Sequence, residues 1–256
     1  MMDNQSIWRV ALAQSALESS CDAQDFLAAE NKITTPTLHP CARKYLTEPF
    51  VCDLTSYGHN IVAAVRADLQ DTVRQYIDKH PTEHCFTTPN LHILDDALQA
   101  YGLRICFMAE YFLPDLHVLQ AQPCAYEVKV LTPPDFAAYY VPAWGNALSD
   151  KRRETDVLSV GAFHHGELIG LAGCSADCDS MWQIGIDVLP AYRRQGVACA
   201  LTSRLALEIL AAGRVPFYCA AWSNIGSVRN AIKSGFRPAW VQMTAKSTAF
   251  VAEMNQ

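Results

Sequence analysis

The sequence predicts an α/β (α+β) fold: a mixed central sheet flanked by helices, with a smaller αβ region at the N-terminus. Three observations predict it. Of the 256 residues, 50% are hydrophobic and 18% charged, a globular composition long enough to bury a sizeable core. The second half alternates apolar, strand-like runs with amphipathic ones, the order of elements around one mixed sheet. Glycines stand where those amphipathic runs stop, as helix C-terminal signals do.

Taken in order, "IWRVALAQSALESSCDAQDFL" has helical spacing, with Ile7, Val10, Ala13 and Leu17 on one face and Ala16 widening it. A polar, Pro-punctuated stretch follows. "FVCDLTSY" reads as a strand and "GHN" as a turn. In "IVAAVRADLQDTVRQYIDKH", Ile61, Val65, Leu69, Val73 and Ile77 form a stripe that predicts a helix at least from Val65 onward. "TTPNLHILDDALQAYG" predicts a helix capped by Thr or Asn and closed by Gly102, and "LRICFMAEYFL" a buried strand. "PDLHVLQAQPCA" is the expected joint, giving an N-terminal αβ region over 1–120 and a second domain over 121–256.

That second domain opens with the strand "YEVKVLT" and a short helix in "PPDFAAYYVPAWGNAL", broken near Pro142. "VLSVGAF", "HHGE" and "LIGLAGCSA" predict a β-hairpin, and "MWQIGIDV" the next strand. Val197, Leu201, Leu205 and Ile209 then repeat along a helix closed by Gly213. "VPFYCAAW" is a strand. "SNIGSVRNAIKSG" is a helix with Ser223 as N-cap and Gly235 just past its end, and "FRPAWVQMTAK" is a last strand. "PNLHILDDALQAYGLRICFM" loosely echoes "SNIGSVRNAIKSGFRPAWVQM". A degenerate repeat and the chance recurrence of a capped helix before a strand both explain the echo.

Charge and cysteine usage narrow the function. A net charge of -6 argues against a general nucleic-acid binder. The N-terminus has no basic, apolar leader and no run is long enough to span a membrane, so no membrane partner is expected. The ten cysteines are scattered, many inside apolar runs, which fits small hydrophobes in a reducing cytoplasm. Cys174 and Cys178, with His164 and His165 upstream, do not have zinc-site spacing, and no metal site is expected.

The densest chemical signal is "VLPAYRRQGVA". A diphosphate needs several backbone N–H groups aimed one way and no Cβ obstructing its approach. A helix N-terminus supplies unsatisfied N–H groups and the positive end of the dipole. Gly196 supplies access, and Arg193 and Arg194 supply charge. Taken alone, the segment reads as a helix start with two solvated arginines. Its place between an apolar strand and a long helix, with "SNIGSVRNAIKSGF" following, favours a cradle.

In that order, "IGIDVLPAYRRQGVACAL" and "SNIGSVRNAIKSGF" resemble the GNAT superfamily of acyl-CoA-dependent N-acetyltransferases, over about residues 125–250. Within it the chain looks most like a bacterial group with an extra N-terminal region, which on this resemblance is also a candidate degenerate GNAT-like half. The resemblance implies a GNAT-type sheet and acetyl-CoA as acetyl donor. Ile186, Asp187 and Val188 would offer backbone groups to the pantetheine, in the manner of an added strand. Gln195, Gly196, Val197 and Ala198 would hold the pyrophosphate, with Arg193 and Arg194 nearby. Asn224 would bond the pantetheine, assisted by Ser227 one turn on.

Catalysis departs from the family pattern. Where members carry a tyrosine acid on the last helix, this chain has Ala231, and where others carry a glutamate base it has Cys219. Asp177 is the preferred carboxylate, expected at the mouth of the cleft, with a solvated turn residue as its alternative. Tyr139, Tyr140 and Trp144 are candidates to flank an amine by cation–π contact, against packing. The expected activity is acetyl transfer to a small-molecule primary amine by direct attack in a ternary complex. The alternatives are a non-catalytic acyl-CoA-binding module and a protein or peptide Nα-acetyltransferase. The N-terminal region is expected to close the cleft or to build a homodimer.

Overall fold

The computed structural model describes residues 2–256. The chain divides into two compact units, and the division does not follow a single cut at 120. One unit comprises the residues up to Val10 with Tyr111–Pro238, the other Ala11–Glu110 with Ala239–Gln256. The reason is that helix α1 (Asn4–Ser19) and strands β4 (Leu103–Pro114) and β10 (Phe236–Ser247) each contribute residues to both.

The unit built around residues 11–110 orders its strands β1 (Lys32–Thr34), β3 (Val62–Val65), β2 (Cys52–Ser56), β10, β4. Helices α2 (Gln70–Ile77) and α3 (Asn90–Gln99) pack Val73, Ile77, Leu94 and Leu98 against Leu54, Ala63 and Val65. The helical stripe expected from Val65 onward therefore starts late. Val62–Val65 is a strand buried along its whole length, paired with β1 on one side and β2 on the other. A strand covered on both faces has no polar alternation, so its valines also fit a helical repeat. Helix α1 ends at Ser19 rather than running to Leu27, because Ser20 turns left-handed with φ 53° and its hydroxyl takes the Thr37 amide. Asn90 is the first residue of α3 and not its cap. The short helix α7 (Thr248–Met254) and strand β1 have no counterpart among the expected elements.

This unit also buries a polar network. Arg43 Nε donates to both oxygens of Glu18 at 2.8 Å. Asp53, fully buried, accepts from Gln242 Nε2 at 2.8 Å, Thr244 Oγ1 at 2.7 Å and Thr55 Oγ1 at 3.0 Å. Burial raises the Asp53 carboxyl to about 6 despite those donors and the nearby Arg43 charge. The folded unit thus holds this proton more tightly than the unfolded chain. The stability it contributes is complete below the ordinary value of 3.8 and is lost as pH rises through about 6. The stability of the wild type relative to Asp53→Asn should fall between pH 4 and pH 7 by up to about 3 kcal/mol. Urea unfolding read from exchange of the β2 and β3 amides measures it, and a flat or rising difference contradicts it.

The other unit orders its strands β4, β9 (Val215–Ala220), β8 (Met181–Val188), β7 (Glu167–Ser175), β6 (Asp156–His164), β5 (Glu127–Leu131). Neighbours from β5 to β8 are antiparallel, whereas β8 and β9 run parallel. Helix α5 (Val197–Ala211) crosses between β8 and β9, and α6 (Ile225–Lys233) leads from β9 to β10. Leu201, Leu205 and Ile209 of α5 are buried on Val160, Ala162, Ala172 and Ile184. Gly213 and Gly235 follow α5 and α6 with φ of 73° and 97°, the left-handed C-terminal residues the sequence predicts. The α6 cap is Asn224 and not Ser223: its side-chain oxygen accepts from the Ser227 amide at 3.2 Å. The mixed sheet flanked by helices is the fold class expected from the sequence.

Candidate active site

The site begins where β8 and β9 separate. Their parallel register runs from Met181↔Val215 to Ile184↔Tyr218 and stops. Strand β8 continues to Val188, paired only with β7, through Gly185↔Gly173 to Val188↔Gly170. Because the Leu189 amide donates to the Ile169 carbonyl at 3.0 Å, alternate residues Leu189, Asp187 and Gly185 face β7. The backbone groups of Ile186 and Val188 therefore face the open edge of a fork.

Two of the three strand residues picked from the sequence thus present their main chain to the opening, and Asp187 does not. Its main chain belongs to the β7 ladder, and its carboxylate works on the other face of the sheet. It accepts from the Asn146 amide at 2.8 Å, Asn146 Nδ2 at 2.6 Å and the Ala147 amide at 3.0 Å. This fastens the 145–148 segment over the cross-strand pair Gly173–Gly185. A Cβ on Gly185 would come within 1.8 Å of the Asn146 carbonyl oxygen, and one on Gly173 within 2.1 Å of that of Ala147.

Beyond Val188 the chain makes a 3₁₀ turn over Pro190–Tyr192 and passes through Arg194 and Gly196, both left-handed with φ of 62° and 84°. Gly196 occupies the N-cap position of α5, no side chain caps that helix, and nothing lies within 4 Å of where a Gly196 Cβ would be. The Ala200 amide is the one returned to the Gly196 carbonyl, at 3.0 Å. The amides of Val197 and Ala198 thus lie at the positive end of a helix of 15 residues, beside an exposed Gln195. Arg194 is exposed. Arg193 is exposed too, but its Nε donates to the Val188 carbonyl at 2.9 Å, closing one acceptor of the open edge. Gln195 is held from two sides, by the Tyr126 hydroxyl at 2.5 Å and by donation to the Ala191 carbonyl at 3.0 Å. Behind it His164, Tyr126 and Tyr192 form an edge-to-face cluster, with His164 Nδ1 3.1 Å from the Tyr192 hydroxyl. His164 is thus half-buried against the loop.

Across the fork, Asn224 is spent on the α6 cap through its oxygen, and Ser227 Oγ lies 2.7 Å from the Tyr218 hydroxyl. Burial raises the Tyr218 phenol above its ordinary value.

The catalytic and acceptor residues chosen from the sequence fare differently. Asp177 does not lie at a cleft mouth. It is completely buried, ion-paired to Arg152 Nη1 and bonded by the Ser175 hydroxyl at 3.2 Å. A carboxylate committed in this way is not exposed to an incoming amine. Arg152→Ala should leave that charge buried without its guanidinium and lower stability by about 3 kcal/mol, measured by thermal unfolding. Stability unchanged within error would show that the pair contributes nothing. Trp144 is core, packed with Leu131, Phe136, Leu148 and Leu171. Tyr139 and Tyr140 are half-buried on the same cluster, Tyr140 bonding Asp156 at 3.1 Å with the Arg153 guanidinium 4.3 Å over its ring. The aromatic face meant for an amine is thus covered by the protein's own cation. Ala231 is buried, and Cys219 accepts from Gln183 Nε2 at 3.2 Å. No group of three or more His, Cys, Asp or Glu side chains suited to a metal occurs among the described residues, nor does a helix long and apolar enough to cross a membrane.

Comparison with known proteins bears on this fork. Residues 119–236 match the model of the Acetyltransferase (GNAT) family. Among solved structures, the chain is similar to a putative GNAT-family acetyltransferase from Novosphingobium aromaticivorans: 20% identity, 57% of this chain and 69% of that one covered, TM-score 0.46. It is also similar to a GCN5-related N-acetyltransferase-like protein from Streptococcus suis, at 20% identity over 62% and 69%, TM-score 0.46. A third is a GCN5-related N-acetyltransferase from Kribbella flavida, at 17% identity over 62% and 64%, TM-score 0.49. No curated protein matches the sequence. The matched residues run from Leu119, ahead of β5, to Phe236, the first residue of β10, so the part of the chain that matches the GNAT acetyltransferase family contains the whole fork.

Proposed function

We propose that the protein is an acetyl-CoA-dependent N-acetyltransferase that acetylates a primary amine of a small molecule by direct attack in a ternary complex. The observation that carries the reading is the parallel fork with an uncapped helix N-terminus at its mouth. The Ile186 and Val188 amides and the Ile186 carbonyl suit the amide groups of a pantetheine laid along the edge. The Gln195–Ala198 amides, with Arg194 beside them, suit a diphosphate. Asn224 keeps its side-chain NH₂ for a ligand carbonyl. When bound, acetyl-CoA supplies the thioester that the amine attacks. The protein's part is to hold that thioester still and to keep its arm in strand register.

A second reading, a non-catalytic acyl-CoA-binding module, is favoured by one set of observations. Ala231 is core, Cys219 faces Gln183, and Asp177 is buried in an ion pair. Thiol release from acetyl-CoA over a broad panel of amines and peptides separates the readings. Amine-dependent release supports the enzyme, and a preference for peptide N-termini would move the acceptor to proteins. Silence over the panel, with acetyl-CoA bound in calorimetry, favours the module.

A further inference from the structure

The fork has a direction. The diphosphate cradle lies beyond Val188, and the strands meet at Ile184↔Tyr218. Four residues of strand span about 13 Å, comparable to the reach of an extended pantetheine arm. An arm held at the cradle and laid along β8 therefore brings its sulfur to the closed end of the fork, where Tyr218 stands. Tyr218 is buried and its hydroxyl lies 2.7 Å from that of Ser227, a half-buried residue in the first turn of α6. Asn230, one turn further on, donates to Thr202 Oγ1 at 3.0 Å. The hydroxyls of Tyr218 and Ser227 thus pair between the last matched position of β9 and the first turn of α6, next to its cap residue Asn224. Ala231, where the family resemblance implies an acid, belongs to the same buried cluster as Tyr218 and carries no such group.

Resting on the acetyl-CoA reading above, we infer that the Ser227 hydroxyl is the donor to the coenzyme A sulfur, with Tyr218 as the positioning residue that orients it. In the transfer, a C–N bond forms between the amine and the acetyl carbon. The C–S bond breaks and its electron pair stays on sulfur, where the Ser227 O–H bonds it. The proton lost by the amine nitrogen passes to water, and water protonates the thiolate. Nothing beyond amine, thioester and water is required. Burial disfavours the ionised phenol, so Tyr218 remains a neutral donor to Ser227.

The test needs no acceptor. Free coenzyme A is bound to the wild type, Ser227→Ala and Tyr218→Phe, and thiolate absorbance near the ultraviolet edge is followed across pH. Affinities for coenzyme A and desulfo-coenzyme A are measured in parallel. The wild type should lower the bound thiol's titration midpoint by about one pH unit and prefer coenzyme A over the desulfo form at high pH by about tenfold. Ser227→Ala should lose both effects, its affinities for coenzyme A and desulfo-coenzyme A becoming equal at high pH, and Tyr218→Phe should lose them in part. A purely structural pair would alter thermal stability and leave the thiol midpoint where it was. An unshifted midpoint in the wild type, or one that survives Ser227→Ala, overturns the inference. Failure of the wild type to bind coenzyme A at all overturns the underlying acetyl-CoA reading as well.

Discussion

Gly196→Asp should weaken acetyl-CoA binding by about a hundredfold while leaving the fold intact. Gly196 sits with φ 84° at the start of an uncapped helix, with no atom within 4 Å of the added Cβ. Asp is among the few residues that enter the left-handed region readily, so the backbone cost is about 1 kcal/mol and steric clash adds nothing. What changes is charge: a carboxylate stands where the cradle would hold a diphosphate, and it also caps the amides the diphosphate would use. Gly196→Asn controls for this. It has the same shape and backbone cost, without the charge, and should lose much less affinity. Calorimetry with acetyl-CoA at two salt concentrations measures both, the Asp penalty shrinking as salt screens it. Equal losses for Asp and Asn would mean that the backbone, and not the charge, is what matters.

Gly185→Ala should have the largest effect on stability, a loss of about 3 kcal/mol or more. The new methyl group would meet the Asn146 carbonyl oxygen at 1.8 Å, and a backbone atom cannot rotate away as a side chain can. The 145–148 segment would have to lift, breaking the three hydrogen bonds that Asp187 accepts from Asn146 and Ala147. Gly173→Ala, opposite it in the ladder, should behave alike. Gly166→Ala is the contrast: φ is 86° but nothing lies within 4 Å, so it should cost only about 1 kcal/mol. Chemical denaturation of the three variants checks the ranking. A Gly185→Ala protein as stable as Gly166→Ala would mean that the segment does not rest on the glycine pair.

The parts of the site that the sequence made legible are contiguous in it. Strand, loop and helix from Ile186 to Ala198 follow one another, so the residues themselves place an edge beside a helix N-terminus. What was not legible depends on partners distant in sequence. Asp177 reads as a turn carboxylate until Arg152 is seen against it. Asp187 reads as a third ligand-facing residue until the register with β7 turns its main chain away. Trp144 and Tyr140 read as a cation-binding face until one enters the core and the other receives Arg153. Tyr126 and Tyr218 carry no local signal, because each touches the site through a residue distant in sequence, Gln195 and Ser227. One signal was available for the glycine pair: "LIGLAGCSA" and "QIGID" each place a glycine mid-strand, where its weakening effect calls for a close backbone approach. Val65 fits the helical stripe and the strand alike, because a doubly buried strand carries no period of two.

Amide hydrogen exchange with and without acetyl-CoA tests the fork most directly, because it reads the groups assigned to the ligand. Protection should appear at the amides of Ile186, Val188 and Gln195 to Ala198, with little change at the β7-facing amides of Gly185 and Asp187. Acetyl-CoA that binds without protecting the Val188 and Gly196 amides would contradict the account.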